Sequence, residues 1–199
     1  MLPAPPPARP GLALEPDQLY AQLADAVWST IAGADRDAFR QLSELSQGSA
    51  VAVAPDRLLT NCHLFAGRQV VLIVQGDAID VARLIAADLA SDRCVLEPDS
   101  RTLRPVEGLR PYADLRIGER VFTIGSPSGL ERTLGEGLIS GLRAQRGVSF
   151  VQTTAPISQG SSGGGLFDRR GNLVGITSFL LQSGQQLNFA LAAESFWQE

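Results

Sequence analysis

The segment QGSSGGGLF, residues 159–167, decides how the rest of the chain is read. A serine hydroxyl is a poor nucleophile unless a neighbouring base removes its proton. It also needs backbone N–H groups aimed at the oxyanion that develops during attack. A Gly-x-Ser-Gly-Gly turn can supply the second requirement, because glycines let the backbone turn tightly and let a substrate approach. Ser162 is then the candidate nucleophile, and the N–H groups of Gly160 and Ser162 are the candidate oxyanion donors. A plain flexible Gly/Ser loop explains the segment equally well in isolation. A phosphate-binding loop fits poorly, since no Gly-Lys-Ser/Thr follows.

Working outward, a mechanism that needs an imidazole base must use His63, because the chain holds one histidine, although a lone histidine by itself is unremarkable. It lies in LLTNCHLFAG (58–67), at the end of an expected strand. Imidazole is the side chain whose unperturbed proton affinity suits base catalysis near neutral pH. A carboxylate must then fix the imidazole tautomer. Asp77, Asp80, Asp88, Asp92, Asp99 and Asp114 lie between the histidine and the serine. Asp92 is favoured because it leads directly into the apolar run RCVLEP (93–98), with Asp88 as runner-up. The order His, Asp, Ser is that of chymotrypsin and differs from those of subtilisin and the α/β-hydrolases. Gly160 to Gly164 also matches the hydrolase elbow Gly-x-Ser-x-Gly, but that fold places its histidine last.

From Gly48 onward, short apolar runs alternate with turn dipeptides. SAVAVAP (49–55), QVVLIVQ (69–75), RVFTIGSP (120–127), NLVGITSFLL (172–181) and LNFALA (187–192) are of strand length, with Pro55-Asp56, Gly76-Asp77 and Gly171-Asn172 among the turns. Such a series predicts an all-β barrel or sandwich. Upstream, Leu19, Leu23, Ala26, Val27 and Ile31 recur near helical spacing, with Asp17 as an N-cap and Gly33 as a stop. Ala38, Leu42 and Leu45 suggest a second helical stretch. Residues 17–47 are therefore expected to be a helical segment, and 1–16, MLPAPPPARPGLALEP, a flexible Pro-rich tail.

The 199 residues, 44% hydrophobic and 19% charged, suit one domain or two packed halves. A net charge of −4 without a Lys/Arg run argues against nucleic acid as a partner. No apolar run is long enough for a membrane span, and the N-terminus lacks the pattern of a signal peptide. Two cysteines and one histidine are too few for a typical structural zinc site, and a Ser–His–Asp mechanism needs neither metal nor cofactor, so none is expected.

Taken together, five segments resemble the HtrA/DegP branch of the trypsin-like peptidases. LLTNCHLFAG is similar to its Leu-Thr-Asn-x-His-Val segment, and DLASDRCVLEPD (88–99) to its Asp-x-x-x-Asp-Leu-Ala-Val-Leu segment, which places Asp92 on the catalytic aspartate. IGSPSGLERTLGEGLISG (124–141), VQTTAPISQGSSGGGLFDRRGNLVGITS (151–178) and LNFALAAE (187–194) resemble later segments in register. The resemblance implies two six-stranded antiparallel β-barrels, about 48–108 and 109–199, with the triad His63, Asp92 and Ser162 in the cleft between them. It implies a serine endopeptidase acting on proteins or peptides through an acyl-enzyme, in the periplasm or secreted. No PDZ domain is expected after the last of these segments, and the oligomeric state stays open.

By the same resemblance, Pro156, six residues before the nucleophile, sits at the base of the primary pocket. Ile157, Ile176, Thr177, Ser178, Asn188 and Phe189 are expected to complete it, giving a preference for small or medium apolar side chains. Two departures stand out. Ser161 replaces the usual Asn or Asp, so activation through an ion pair with a newly cut amine is not expected. Gly165 replaces the usual proline, which is expected to loosen the loop. A binding module of the same fold with little turnover is the competing reading. Cys62 and Cys94 flank His63 and Asp92, so contact between those two would make a disulfide geometrically plausible; two buried free thiols are the alternative.

Overall fold

In the computed structural model, residues 2–145, 147–178 and 188–198 are described. Arg146 and Phe179 to Leu187, which include the ends of two expected strands, lie outside them. The first barrel is built from β1 (Val27–Gly33), β2 (Ser46–Ala54), β3 (Arg57–Thr60), β4 (Val70–Gln75), β5 (Ala78–Asp88) and β6 (Arg93–Pro98). The second contains β7 (Arg120–Gly125), β8 (Thr133–Gln145), β9 (Val148–Thr153), β10 (Gly165–Asp168), β11 (Leu173–Ser178) and β12 (Asn188–Ala192). Both close, in the orders β1-β2-β3-β6-β5-β4 and β10-β11-β12-β9-β8-β7, with every pairing antiparallel. The all-β, two-barrel architecture expected from the sequence is therefore present.

The first barrel starts well before residue 48, and this corrects the helical reading of residues 17–47. Only Pro16–Leu23 (α1) and the short Arg36–Gln41 (α2) are α-helical. Val27–Gly33 is a strand that pairs with both β2 and β4 and closes the barrel. The reason is arithmetic. A spacing of four residues satisfies the helical period and is also even, so Val27 and Ile31 share one face of a strand. Trp28, Thr30 and Ile31 favour a pleated surface, and two neighbouring strands are available to hydrogen-bond it. Asp17 is not the cap of α1. Pro16 occupies the first helical position, and the Gln18 side chain accepts the Glu15 N–H at 3.3 Å.

The Pro-rich tail is also not free. Trp197 Nε1 donates to the Pro3 carbonyl (2.5 Å), Arg9 N–H to Asn172 Oδ1 (2.6 Å), Leu14 N–H to the Arg169 carbonyl (2.7 Å), and Arg170 Nε to the Gly11 carbonyl (2.8 Å). An extended chain leaves its N–H and C=O groups unpaired, and the second barrel with the C-terminal turn supplies partners for both: acceptors for Arg9 and Leu14, donors for Pro3 and Gly11. Leu2 and Leu14 pack against the main core.

That core lies between the barrels. β2 is buried on both faces: Ala50 and Ala52 point into the first barrel, while Val51 and Val53 meet Phe122, Ile124, Phe167 and Leu191 of the second. The strand carrying Ser49 is thereby pressed against the nucleophile segment.

Cys62 and Cys94 form a disulfide with Cα atoms 5.0 Å apart, and no described cysteine is free. The bridge fastens the 3₁₀ turn Cys62–Phe65 to β6, where Thr60 already pairs with Cys94. It spans a sequence separation of 32. Closing a loop of that size stabilises by about 3–4 kcal/mol through the unfolded chain. Replacing both cysteines by alanine is expected to lower the melting temperature by about 10 °C. Calorimetry of the variant checks this, and an unchanged melting point would oppose it.

Candidate active site

His63 and Asp92 meet through two hydrogen bonds. The His63 backbone N–H donates to Asp92 Oδ1, and His63 Nδ1 lies against Asp92 Oδ2, both at 2.8 Å. An ionised carboxylate can only accept, so it selects the tautomer with hydrogen on Nδ1 and leaves the Nε2 lone pair available. Asp92 sits at φ +60°, a left-handed conformation that Asp tolerates better than most residues. Its carbonyl accepts from Asn61 Nδ2 (3.3 Å) and Cys62 N–H (3.4 Å), which holds the turn in place.

Asp88, the alternative carboxylate, does something else. Ser91 Oγ donates to Asp88 Oδ2, and Arg93 Nη2 donates to the same oxygen at 2.7 Å. The Ser91 bond and then the Arg93 bond push its pKa down to about 2. A carboxyl whose folded pKa is depressed stabilises the fold above its unfolded pKa and loses that contribution as pH falls through the folded value. Asp88→Asn is therefore expected to flatten the stability loss between about pH 4 and 2 while leaving turnover within about threefold. Denaturant titrations across that range, with a rate assay, check both parts.

Ser162 and Gly160 line one cleft of about 760 Å³ together with His63. Ile31, Leu42, Leu45, Leu64 and Arg68 also border this cleft. The nucleophile turn is held by Ser49, a fully buried residue of β2. Its N–H donates to the Ser162 carbonyl (2.7 Å), and its Oγ donates to the Gly160 carbonyl (2.9 Å) and accepts the Ser126 N–H (2.9 Å). Thr60 Oγ1 fixes Ser49 in turn by donating to its carbonyl (2.7 Å). Gly163 has φ +87°, and a Cβ there would lie 1.8 Å from the Ser49 carbonyl oxygen, so only glycine fits this approach. Sequence reasoning did not select Ser49. Its only signal was a hydroxyl at the head of an apolar run, SAVAVAP.

The two departures have local explanations. The Ser161 hydroxyl accepts the Ser158 N–H (3.4 Å), closing the loop within itself. Gly165 does not loosen the chain. It already belongs to β10, paired with Ile124 and Ile176, and a Cβ there would lie 2.3 Å from the Phe167 ring.

The residues assigned to the primary pocket are scattered. Pro156 and Thr177 border a small cavity of about 80 Å³ behind the nucleophile turn, beside Ser158 and Ser161. Ile176 is sealed into the core between the barrels, and Ile157 is buried. Thr177 turns its hydroxyl toward the nucleophile turn, and Ser178 is fully buried. Asn188 Nδ2 donates to the Ala155 carbonyl (2.8 Å), and Phe189 is partly exposed on β12.

Two closed six-stranded barrels, with a His–Asp pair and a glycine-rich serine turn on a shared cleft, define a protein of the trypsin-like two-barrel class. The sequence profile of the trypsin-like peptidase domain matches residues 48–176, and the chain belongs to that family, in its HtrA/DegP branch. It is 38% identical over 145 residues to a probable periplasmic serine endoprotease DegP-like of Pseudomonas fluorescens, a match covering 70% of this chain and 30% of that one. It is 34% identical over 170 residues to Protease Do-like 1, chloroplastic, of Arabidopsis thaliana, covering 76% and 38%. The solved HtrA-type protease AlgW with tripeptide superposes with a TM-score of 0.79 at 30% identity, covering 92% of this chain and 62% of that one. The chain spans about 30% of the length of the DegP-like relative it matches. Among the described residues, no helix is long and apolar enough to cross a membrane.

Proposed function

We propose that the chain is a serine endopeptidase domain that cleaves peptide bonds through an acyl-enzyme. The observation that carries this reading is the paired contact of Asp92 with His63 on the cleft that also holds Ser162. His63 Nε2 takes the proton of Ser162 Oγ as that oxygen attacks the scissile carbonyl carbon. The carbonyl oxygen becomes an oxyanion facing the N–H groups of Gly160 and Ser162. Collapse of the tetrahedral intermediate breaks the C–N bond, and His63 gives its proton to the departing amine. Water then attacks the ester by the same route, returning the proton to Ser162. Asp92 keeps the imidazole oriented and stabilises it while it is charged.

Substrates are proteins or peptides in the periplasm or outside the cell, in keeping with the relatives' names and with a disulfide close to the triad. Pro156 at the pocket position offers no charge for a Lys or Arg side chain, which supports a preference for small or medium apolar residues before the cleaved bond.

Treating the intact protein with a fluorophosphonate and mapping the adduct by mass spectrometry tests the mechanism. Modification of Ser162 is expected; no adduct, or one on another side chain, would overturn it. A peptide-library digest checks the preference, and cleavage dominated by Lys or Arg would reject it.

A further inference from the structure

The direction of an oxyanion donor is set by the carbonyl on the other side of its peptide bond. All described peptides are trans, so the Ser162 N–H points opposite to the Ser161 C=O. Two donors hold that carbonyl. Gly164 N–H reaches it at 2.9 Å, and Thr177 Oγ1 at 2.6 Å. The two are not equivalent. The Gly164 bond closes the turn 161–164 on itself and moves with the turn. Thr177 belongs to β11, paired with Ala190 of β12, and ties the carbonyl to the barrel wall.

The backbone of Thr177 grips the same turn. Its N–H donates to the Gly164 carbonyl (2.8 Å), and its carbonyl accepts the Gly163 N–H (2.8 Å). These bonds fix the far side of the turn; the hydroxyl, which lies 2.6 Å from the Ser161 carbonyl and 3.2 Å from the Gly164 carbonyl, makes its shorter bond to Ser161 and is that carbonyl's tie to the barrel wall. Thr177 is 1% exposed, so its hydroxyl is shielded from competition with bulk water.

We propose that Thr177 is a positioning residue whose hydroxyl aims the Ser162 N–H at the oxyanion site by holding the Ser161 carbonyl from the opposite side. The proposal rests on the serine-peptidase reading and assigns Thr177 to support of the nucleophile turn instead of the substrate pocket. Removing the hydroxyl lets the peptide plane rock. The donor is then mis-aimed only when an oxyanion forms, so kcat is lowered and ground-state binding is not.

The test compares wild type, Thr177→Val and Thr177→Ser. Valine keeps the β-branched shape without the hydroxyl, while serine keeps the hydroxyl without the methyl. The readouts are the rate of fluorophosphonate labelling and the kcat and KM for a tetrapeptide p-nitroanilide ending in alanine. Thr177→Val is expected to lower both the labelling rate and kcat by about 10- to 100-fold, a part of the effect of deleting an oxyanion donor, with KM within about twofold. Thr177→Ser is expected to return both rates to within about threefold of wild type. Equal rates in the valine variant, a loss confined to KM, or a serine variant as slow as valine would each overturn the proposal. Should the valine variant not fold, Thr177→Ala, which creates space instead of strain, is read by the same criteria, and the serine variant still decides rescue. A wild-type protein that is not labelled at Ser162 would instead overturn the serine-peptidase reading itself, so the two failures are distinguishable.

Discussion

Ser162→Ala is expected to reduce kcat by about 10⁴- to 10⁶-fold, the range seen when the nucleophile of such a unit is removed. The effect is chemical, because the change deletes one oxygen from a residue that is only 2% exposed. The backbone of Ser162 keeps its bond from Ser49, and Gly163, Gly164 and Thr177 keep theirs, so the turn retains its shape. With that backbone intact, peptides should still occupy the cleft, and the variant should bind substrate without consuming it. Turnover of the p-nitroanilide, together with equilibrium binding of an uncleaved peptide, checks both halves. Residual activity above about 1% of wild type, which a purely electrostatic site could sustain only with another nucleophile, would oppose the assignment.

Asp92→Asn is expected to lower kcat by about 10⁴-fold with little change in fold. Asparagine suits the left-handed φ of +60° at this position. Its amide oxygen can still accept the His63 backbone N–H. Its amide nitrogen, however, donates where the carboxylate accepted, so Nδ1 must become the acceptor and Nε2 must carry the hydrogen. The lone pair that would take the Ser162 proton is then gone. Circular dichroism and melting should resemble the wild type, while the rate falls. Less than a tenfold loss would mean that the imidazole does not depend on this carboxylate. The contrast with Asp88→Asn separates the two carboxylates, since Asp88 is engaged by Ser91 and Arg93 and holds no catalytic group.

The reactive residues were legible because the chain leaves little choice. One histidine, one Gly-x-Ser-Gly-Gly turn and an aspartate leading into an apolar run narrow the chemistry before any fold is known. Competing aspartates could be ranked but not separated, since what distinguishes Asp92 from Asp88 is which partner each reaches across the turn.

The supporting shell was hidden for a different reason. Thr177 and Ser49 are ordinary hydroxyl residues in apolar strands, and their value lies in bonds to residues 16 and 111 positions away. The expected helix at Val27 failed because a spacing of four fits both periods, and only the neighbouring strands β2 and β4 break the tie. The tail differs from expectation for a like reason, since its composition says only that it is extended, and residues packed beside it determine whether its carbonyls find donors.

The sequence by itself determined which side chains could react and that strands would carry them, because those are properties of residue type and short-range period. The tertiary structure decided which carboxylate meets the imidazole, that the two sulfurs are joined, and which buried hydroxyls steady the nucleophile turn. Those outcomes depend on two barrels pressing distant segments within hydrogen-bonding reach, and no local pattern encodes that distance.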